Sequence, residues 1–323
     1  MRSKRAYLLK HIGLRKSSGI FKIYYKSDAI SFILFISLLY SFILTLQFKI
    51  CSCPPGCFLV YIIGIYAKTR KNEAQTMQKM LSYVRRAVDH YHMIEDGDRI
   101  AVGVSGGKDS LALLVALAKL RAFYPKKFEV VAITLEMGYA EMDFSPVGAL
   151  CDELDVEYIR IPTQIGPIIF NIRKEENPCA LCAKMRRGAL HEAAKAAGCK
   201  KVALGHHFDD VVETYMLSLF YEGRISCFQP VTYLDRTGIT LIRPLLYTPE
   251  YYVRSFAARH ELPIVHNPCP ADGNTKRQEI KDLLKNLEQS IPGLRERIFG
   301  AIQRYPLKGW APDRTRTPKH PPK

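Results

Sequence analysis

What the chain lacks narrows it before any motif is read. Nine cysteines in 323 residues, irregularly spaced, are too few for a disulfide-built domain, which leaves core thiols, metal ligands or redox groups. No internal repeat is present, so a solenoid or propeller is excluded. An evenly basic surface is lacking too, although the formal net charge is +16. Residues 1–76 carry 12 Lys/Arg against 2 Asp/Glu and residues 308–323 carry 5 against 1, so the stretch between has a surplus of only two. Contact with RNA would have to come from a local patch or from the tail. A Walker A loop is also missing: Gly103 and Gly107 are separated by three residues, not four, and Asp109 follows Lys108 where Ser or Thr is needed.

What stands in its place is Ser105-Gly106-Gly107-Lys108-Asp109-Ser110. It falls where an apolar strand, expected over Arg99–Val104, breaks into a helix expected over Asp109–Arg121. Two adjacent glycines let the backbone turn sharply and approach a ligand with no Cβ in the way. The amides of the turn and of the helix's first turn then face outward, ready for an anion. Lys108 adds a point charge, and Ser105 and Ser110 add hydroxyl donors. Asp109 repels phosphate unless a cation intervenes, so Mg²⁺ is implied. The loop resembles the pyrophosphate loop of the PP-loop ATPases. That resemblance implies ATP cleaved to AMP and pyrophosphate, usually to adenylate an oxygen that is then displaced. Asparagine, GMP, lysidine and tRNA-thiolation enzymes share the loop, so it implies the activation chemistry and not the product.

The first 76 residues differ from the rest. Ala29–Phe48 is an uncharged apolar run long enough to cross a bilayer, preceded by eight basic residues. A second crossing is interrupted by Pro54-Pro55-Gly56, and a single span would put an ATP-dependent body outside the cell. Three readings stay open for residues 1–76: an artefact of an upstream start with Met77 or Met80 as the true beginning, a membrane anchor, or an irregular tail. From Met77 to Met93 apolar residues recur at helical spacing. Strands are expected at Arg99–Val104, Phe128–Leu135, Val156–Ile161 and Lys201–Leu204, alternating with helices at Asp109–Arg121, Ser145–Leu154 and Leu181–Ala197. Further helices are expected at Val211–Tyr221 and Pro249–Arg259. Apolar strands separated by helices predict an α/β fold, a doubly wound parallel sheet with helices on both faces. The expected organisation is an extension over 1–76, a catalytic domain over 77–306 and a basic, disordered tail over 307–323, with disorder from Gly309 onward.

Two further constellations carry chemistry. Gly205-His206-His207-Phe208-Asp209-Asp210 lies at the end of the fourth expected strand, on the edge where such sheets bind ligands. Adjacent carboxylates beside histidines suit a Mg²⁺ site or acid–base work, although an Asp helix cap is the plain alternative. Cys179-Ala180-Leu181-Cys182 opens a helix bearing Arg186 and Arg187, and Cys269 follows in Asn267-Pro268-Cys269-Pro270. A structural zinc needs four ligands, and the body has no second Cys-x-x-Cys. Three thiolates suit a 4Fe–4S cluster with one open iron, or a Cys179/Cys182 dithiol that forms a persulfide.

Taken in order, the loop, Cys-x-x-Cys-x-x-x-Arg-Arg-Gly, Leu-Gly-His-His-x-Asp-Asp and Pro-Cys-Pro resemble the tRNA 2-thiocytidine synthetase (TtcA) family over roughly Met77 to Arg304. The resemblance implies an ATP- and Mg²⁺-dependent, cytoplasmic iron–sulfur enzyme that adenylates a tRNA pyrimidine carbonyl and replaces its oxygen with sulfur. It implies Cys179, Cys182 and Cys269 as 4Fe–4S ligands. Ser105, Gly106, Gly107, Lys108, Asp109 and Ser110, with Gly205 and His206, would hold ATP. Asp109 with Asp209 or Asp210 would hold Mg²⁺, Lys108 would stabilise the leaving pyrophosphate, and Arg186 and Arg187 would contact RNA. Expected partners are tRNA and a sulfur donor such as a cysteine desulfurase, with a homodimer left open and a membrane only if residues 29–48 are inserted. Two positions depart from the family pattern: Glu136-Met137-Gly138-Tyr139-Ala140 replaces an expected Pro-Gly-Phe-Pro, and Asp272 replaces a cysteine. The rival readings are a tRNA-isoleucine lysidine synthetase, which shares the loop and His-x-x-Asp-Asp, and an iron–sulfur or adenylate sensor without turnover.

Overall fold

The computed structural model describes residues 55–139, 141–173, 178–269, 276–305 and 307–311, with no side-chain account before residue 71. The chain divides into two compact units, Met1–Ile65 and Tyr66–Lys323, and the site lies in the second. The apolar run Ala29–Phe48 and residues 312–323 lie outside the described residues. Among the described residues, no helix is long and apolar enough to cross a membrane.

Helix α1 (Pro55–His90) starts earlier than the pattern at Met77 predicts. Proline is tolerated at a first helical position because its missing N–H would be unpaired there anyway. Its Met80, Val84, Ala87 and Val88 are fully buried, which is the expected apolar face. Strand β1 (Asp98–Gly103), α2 (Lys108–Leu120), β2 (Phe128–Glu136), α3 (Ser145–Glu153) and β3 (Glu157–Pro162) follow. A helical turn at Ile165–Pro167 runs into a π-helical turn at Ile168–Arg173, then α4 (Pro178–Ala196), β4 (Lys201–Ala203) and α5 (Phe208–Tyr221). The chain closes with β5 (Val231–Leu234), β6 (Ile239–Ile242), α6 (Glu250–Arg259), α7 (Lys276–Ser290) and α8 (Leu294–Arg304).

The sheet runs β3-β2-β1-β4-β6-β5. All neighbours are parallel except β5 and β6, so the expected all-parallel sheet gains an antiparallel edge. That hairpin was not predicted, although Thr237 and Gly238 amides bonded to the Leu234 carbonyl, with Gly238 at φ +66, close an ordinary turn. Alternate residues of the central strands face opposite layers. Ile100, Val102, Val130 and Ala132 join the core that contains α2, while Ala101, Val131, Ile133 and Val202 pack on Ala193 and Ala194 of α4. Leu111, Leu113, Leu114, Leu117 and Leu120 of α2 are wholly buried, each contributing about 1.5–3 kcal/mol. Strand order reverses direction between β1 and β4, so the loops after these two strands open on one crevice.

The disorder expected from Gly309 onward does not hold at Trp310, while the tail from residue 312 lies outside the described residues. Trp310 is fully buried, its indole N–H donates to the Phe228 carbonyl at 2.9 Å, and its ring meets Tyr91 and Phe299 edge-on. The Pro- and Arg-rich composition on its far side hid one large anchor. Trp310→Ala should lower stability by about 3–5 kcal/mol in thermal or urea unfolding. A change under 1 kcal/mol would contradict this packing.

Candidate active site

The loop between β1 and α2 is built by its glycines. Gly106 sits at φ +82, and a Cβ there would lie 2.8 Å from the Val265 Cβ and 3.2 Å from the Phe144 ring. Its carbonyl accepts from the Val265 amide at 2.9 Å, which ties the loop to the segment approaching Cys269. Ser110 Oγ donates to the Gly107 carbonyl at 2.9 Å and accepts from the Ser105 amide at 3.2 Å. No side chain of the capping residue Gly107 covers the start of α2, which leaves its first-turn amides to serve an anion. Lys108 Nζ stands 2.8 Å from Asp109 and 3.3 Å from Glu250. A phosphate entering the loop would therefore compete with two carboxylates for that ammonium.

The loop after β4 meets this turn backbone to backbone. A Cβ on Gly205 would come within 3.1 Å of the Asp109 carbonyl carbon and the Ser110 nitrogen, so only glycine allows the approach. His207 caps α5: its Nδ1 accepts from the Asp210 amide at 3.4 Å while Asp210 Oδ2 accepts from the His207 amide at 2.9 Å. With Nδ1 accepting, the ring proton belongs on Nε2, which lies 3.4 Å from Asp210 and 3.7 Å from Asp109. His206 next to it is held neutral, its pKa lowered to about 4 by burial and by Arg243, and its ring lies tilted against Phe228 with centroids 4.8 Å apart.

Asp209 and Asp210 lie at this edge but are already engaged. Asp209 accepts from the Glu250 amide at 2.7 Å and pairs with Arg295 at 3.0 Å. Asp210 pairs with Arg277 at 2.9 Å. Arg277, Arg295 and Lys281 come from α7 and α8, far along the chain, and no spacing signal announces them. Glu250 is likewise drawn in: burial opposes its charge, but Lys281 at 2.7 Å and Lys108 hold its pKa down at about 2.

Glu213, one turn into α5, is buried with Oε1 unbonded. Arg277 and Arg295 stop at 3.8 and 3.9 Å, beyond hydrogen-bond reach. Burial, then Asp210, pushes its pKa up to about 7. The unfolded chain ionises this carboxyl near its ordinary value of 4.5, so its stabilisation is complete below that pH and lost as pH rises through about 7. Glu213→Gln should therefore gain on the wild type, by about 2–4 kcal/mol, between pH 4.5 and pH 8. A constant difference in melting temperature over that range would contradict the shift.

A cavity of about 410 Å³ lies beside the loop. Ser105, Asp109 and Ser110 of the loop, Arg186 and Arg187 of α4, and Gly205 and His206 all line it. Thus the two arginines expected to contact RNA stand on the wall of the nucleotide cavity. Cys182 and Cys269 are half-buried and Cys179 is exposed. Burial raises the Cys182 thiol, Arg186 opposes that, and Cys269 and Cys179 raise it again, so the three thiols sense one another. Cys151, expected in the core, is fully buried with its thiol pushed up to about 12.

Cys179 and Cys269 both lie within electrostatic reach of Cys182. Among the described residues no three His, Cys, Asp or Glu side chains stand close enough to share one metal ion. In a cubane cluster each thiolate takes its own iron, so wider spacing is required. The Mg²⁺ expectation fits through Asp109, because Mg²⁺ takes one or two carboxylates and completes its shell with phosphates and water.

An ATP-sized cavity, an anion loop at a strand switch point and a second loop packed on it define a nucleotide-cleaving α/β enzyme. A family model described as a PP-loop domain matches residues 73–287, and the chain is a PP-loop ATPase. It is 41% identical over 241 residues to the tRNA-cytidine(32) 2-sulfurtransferase of Teredinibacter turnerae, covering 73% of this chain and 80% of that one. The enzyme of the same name from Pelobacter propionicus is 37% identical, covering 71% and 87%. Among solved structures, the U34-tRNA thiolase NcsA from Methanococcus maripaludis, with its [4Fe-4S] cluster, superposes with a TM-score of 0.59 at 25% identity, over 72% of this chain and 79% of that one. The chain belongs to the tRNA-cytidine(32) 2-sulfurtransferase family.

Proposed function

We infer that this chain is an ATP-dependent tRNA sulfurtransferase that converts the 2-carbonyl of a cytidine, at position 32 as in its relatives, to a thiocarbonyl. The observation that carries this is Arg186. It lines the nucleotide cavity and also faces the Cys182 thiol, so the ATP loop and the three-cysteine site share a wall.

The loop amides, Ser105 and Ser110 bind the phosphates, and Asp109 would hold Mg²⁺, with Asp209 or Asp210 joining it only on leaving Arg295 or Arg277. The carbonyl oxygen of the base attacks the α-phosphorus, forming an O–P bond as the bond to pyrophosphate breaks. Lys108 leaves its carboxylates to balance charge on the departing pyrophosphate. Sulfur arriving from the cysteine side adds to the activated carbon, and AMP departs with the former carbonyl oxygen. Cys179, Cys182 and Cys269 would hold a 4Fe–4S cluster, whose unligated iron would supply a place to carry sulfide. A cysteine desulfurase is a fitting sulfur source, and a cytoplasmic catalytic body suits the need for ATP and tRNA. Arg186 and Arg187 would hold substrate phosphates without reading sequence.

Nucleoside mass spectrometry of tRNA from cells lacking the gene tests this reading. Loss of 2-thiocytidine, restored by the intact gene, is expected. An unchanged set of thiolated nucleosides would contradict it.

A further inference from the structure

Lys108 is the one basic residue within Ser105–Ser110, and its ammonium is shared with a distant part of the chain. Asp109 Oδ2 lies 2.8 Å away on the same turn, and Glu250 Oε1 reaches it at 3.3 Å from the start of α6. The other oxygen of Glu250, Oε2, pairs with Lys281 of α7 at 2.7 Å. One buried carboxylate therefore bridges the loop lysine and a lysine from the C-terminal helices. Both ends of the bridge are fixed. The Glu250 amide donates to Asp209 at 2.7 Å and the Phe208 amide donates to the Thr248 carbonyl at 3.1 Å, which stitches the entry of α6 to the start of α5. Ile280 and Leu284 of α7 are buried, which fixes the helix that carries Lys281. Arg254, one turn along α6, also reaches Glu250 Oε1, at 3.2 Å, but its side chain is exposed and water screens it.

We propose that Glu250 and Lys281 are positioning residues that set how readily Lys108 is given up to the phosphates of ATP: Glu250 restrains the loop lysine, and Lys281 weakens that restraint by drawing on the same carboxylate. This rests on the assignment of Ser105–Ser110 to ATP made above. A carboxylate divided between two ammonium groups holds each less firmly than it would hold one, because the second cation offsets part of its field. Without the charge of Lys281, more of the Glu250 charge falls on Lys108, and an incoming phosphate has a stronger partner to displace. Without the charge of Glu250, Asp109 is left as the carboxylate competing for Lys108. The two residues therefore act on ATP in opposite senses, and Lys281 acts through Glu250.

Calorimetric titration of the intact protein with ATP and Mg²⁺, without tRNA, reads this directly. Glu250→Gln keeps the side-chain length and the backbone amide that serves Asp209, and it should tighten ATP binding by about fivefold. Lys281→Met keeps an unbranched stem on α7 without the charge, and it should weaken binding by about threefold. A residue that merely supported the fold would weaken binding in both variants. The double variant separates contact from distant charge. With Glu250 already neutral, Lys281→Met should change the affinity by less than about twofold. Weaker binding by Glu250→Gln would overturn the proposal, and so would an equal loss from Lys281→Met in both backgrounds, since that is the mark of long-range charge alone. Wild-type protein that binds no ATP would overturn the reading of the loop and the proposal with it. Wild-type binding with neither variant shifted would overturn the proposal and leave the loop assignment standing.

Discussion

Replacing Cys182 with alanine should reduce thiolation of tRNA at least about 10²-fold while leaving tRNA-dependent pyrophosphate release in place. The two halves of the chemistry lie on different elements. The turn between β1 and α2, proposed above as the phosphate site, depends for its geometry on Gly106 and Ser110. The thiol lies on α4, in electrostatic contact with Cys179, Cys269 and Arg186. Removing the sulfur also removes a half-buried group with a raised pKa, so the fold should tolerate the change. Parallel assays of pyrophosphate and of 2-thiocytidine would separate the steps. If Cys182→Ala thiolates at the wild-type rate, sulfur does not pass through this site.

Gly106→Ala should abolish both halves together. The backbone at φ +82 disfavours an ordinary residue by about 1–2 kcal/mol, and the added methyl meets Val265 at 2.8 Å and Phe144 at 3.2 Å. Relief requires moving the loop away from the segment leading to Cys269. Stability should fall by about 2–4 kcal/mol, and pyrophosphate release by at least about 10²-fold, because displaced donors lose their alignment. Gly107→Ala is the informative partner. A Cβ there meets only Ser105 Oγ, at 3.5 Å, so the fold should be untouched and any loss of activity belongs to ligand binding. A Gly106→Ala protein that cleaves ATP normally would show that this turn is not the phosphate cradle.

The sheet, its first four strands and the loops at their ends were legible because their signals are local. Short apolar runs with turn residues between them specify strands whatever packs on them. Gly106 is legible as a sharp turn, but its close approach to Val265 and that of Gly205 to Asp109 are seen only in the fold. What was not legible is what distant chain adds. Asp209 and Asp210 look like free carboxylates in sequence, yet Arg295 and Arg277 arrive on helices 86 and 67 residues later. Trp310 was masked by its Pro- and Arg-rich neighbours, since composition averages over the one side chain that docks.

One isotope experiment bears most directly on the coupling of the two sites. Unmodified tRNA carrying ¹⁸O at the cytidine 2-carbonyl would be incubated under anaerobic conditions with the iron-loaded protein, a sulfide source, Mg²⁺ and ATP. If the carbonyl oxygen is adenylated and sulfur displaces AMP, the label appears in AMP in step with each 2-thiocytidine formed. AMP without the label, or thiolation without AMP, would contradict the account.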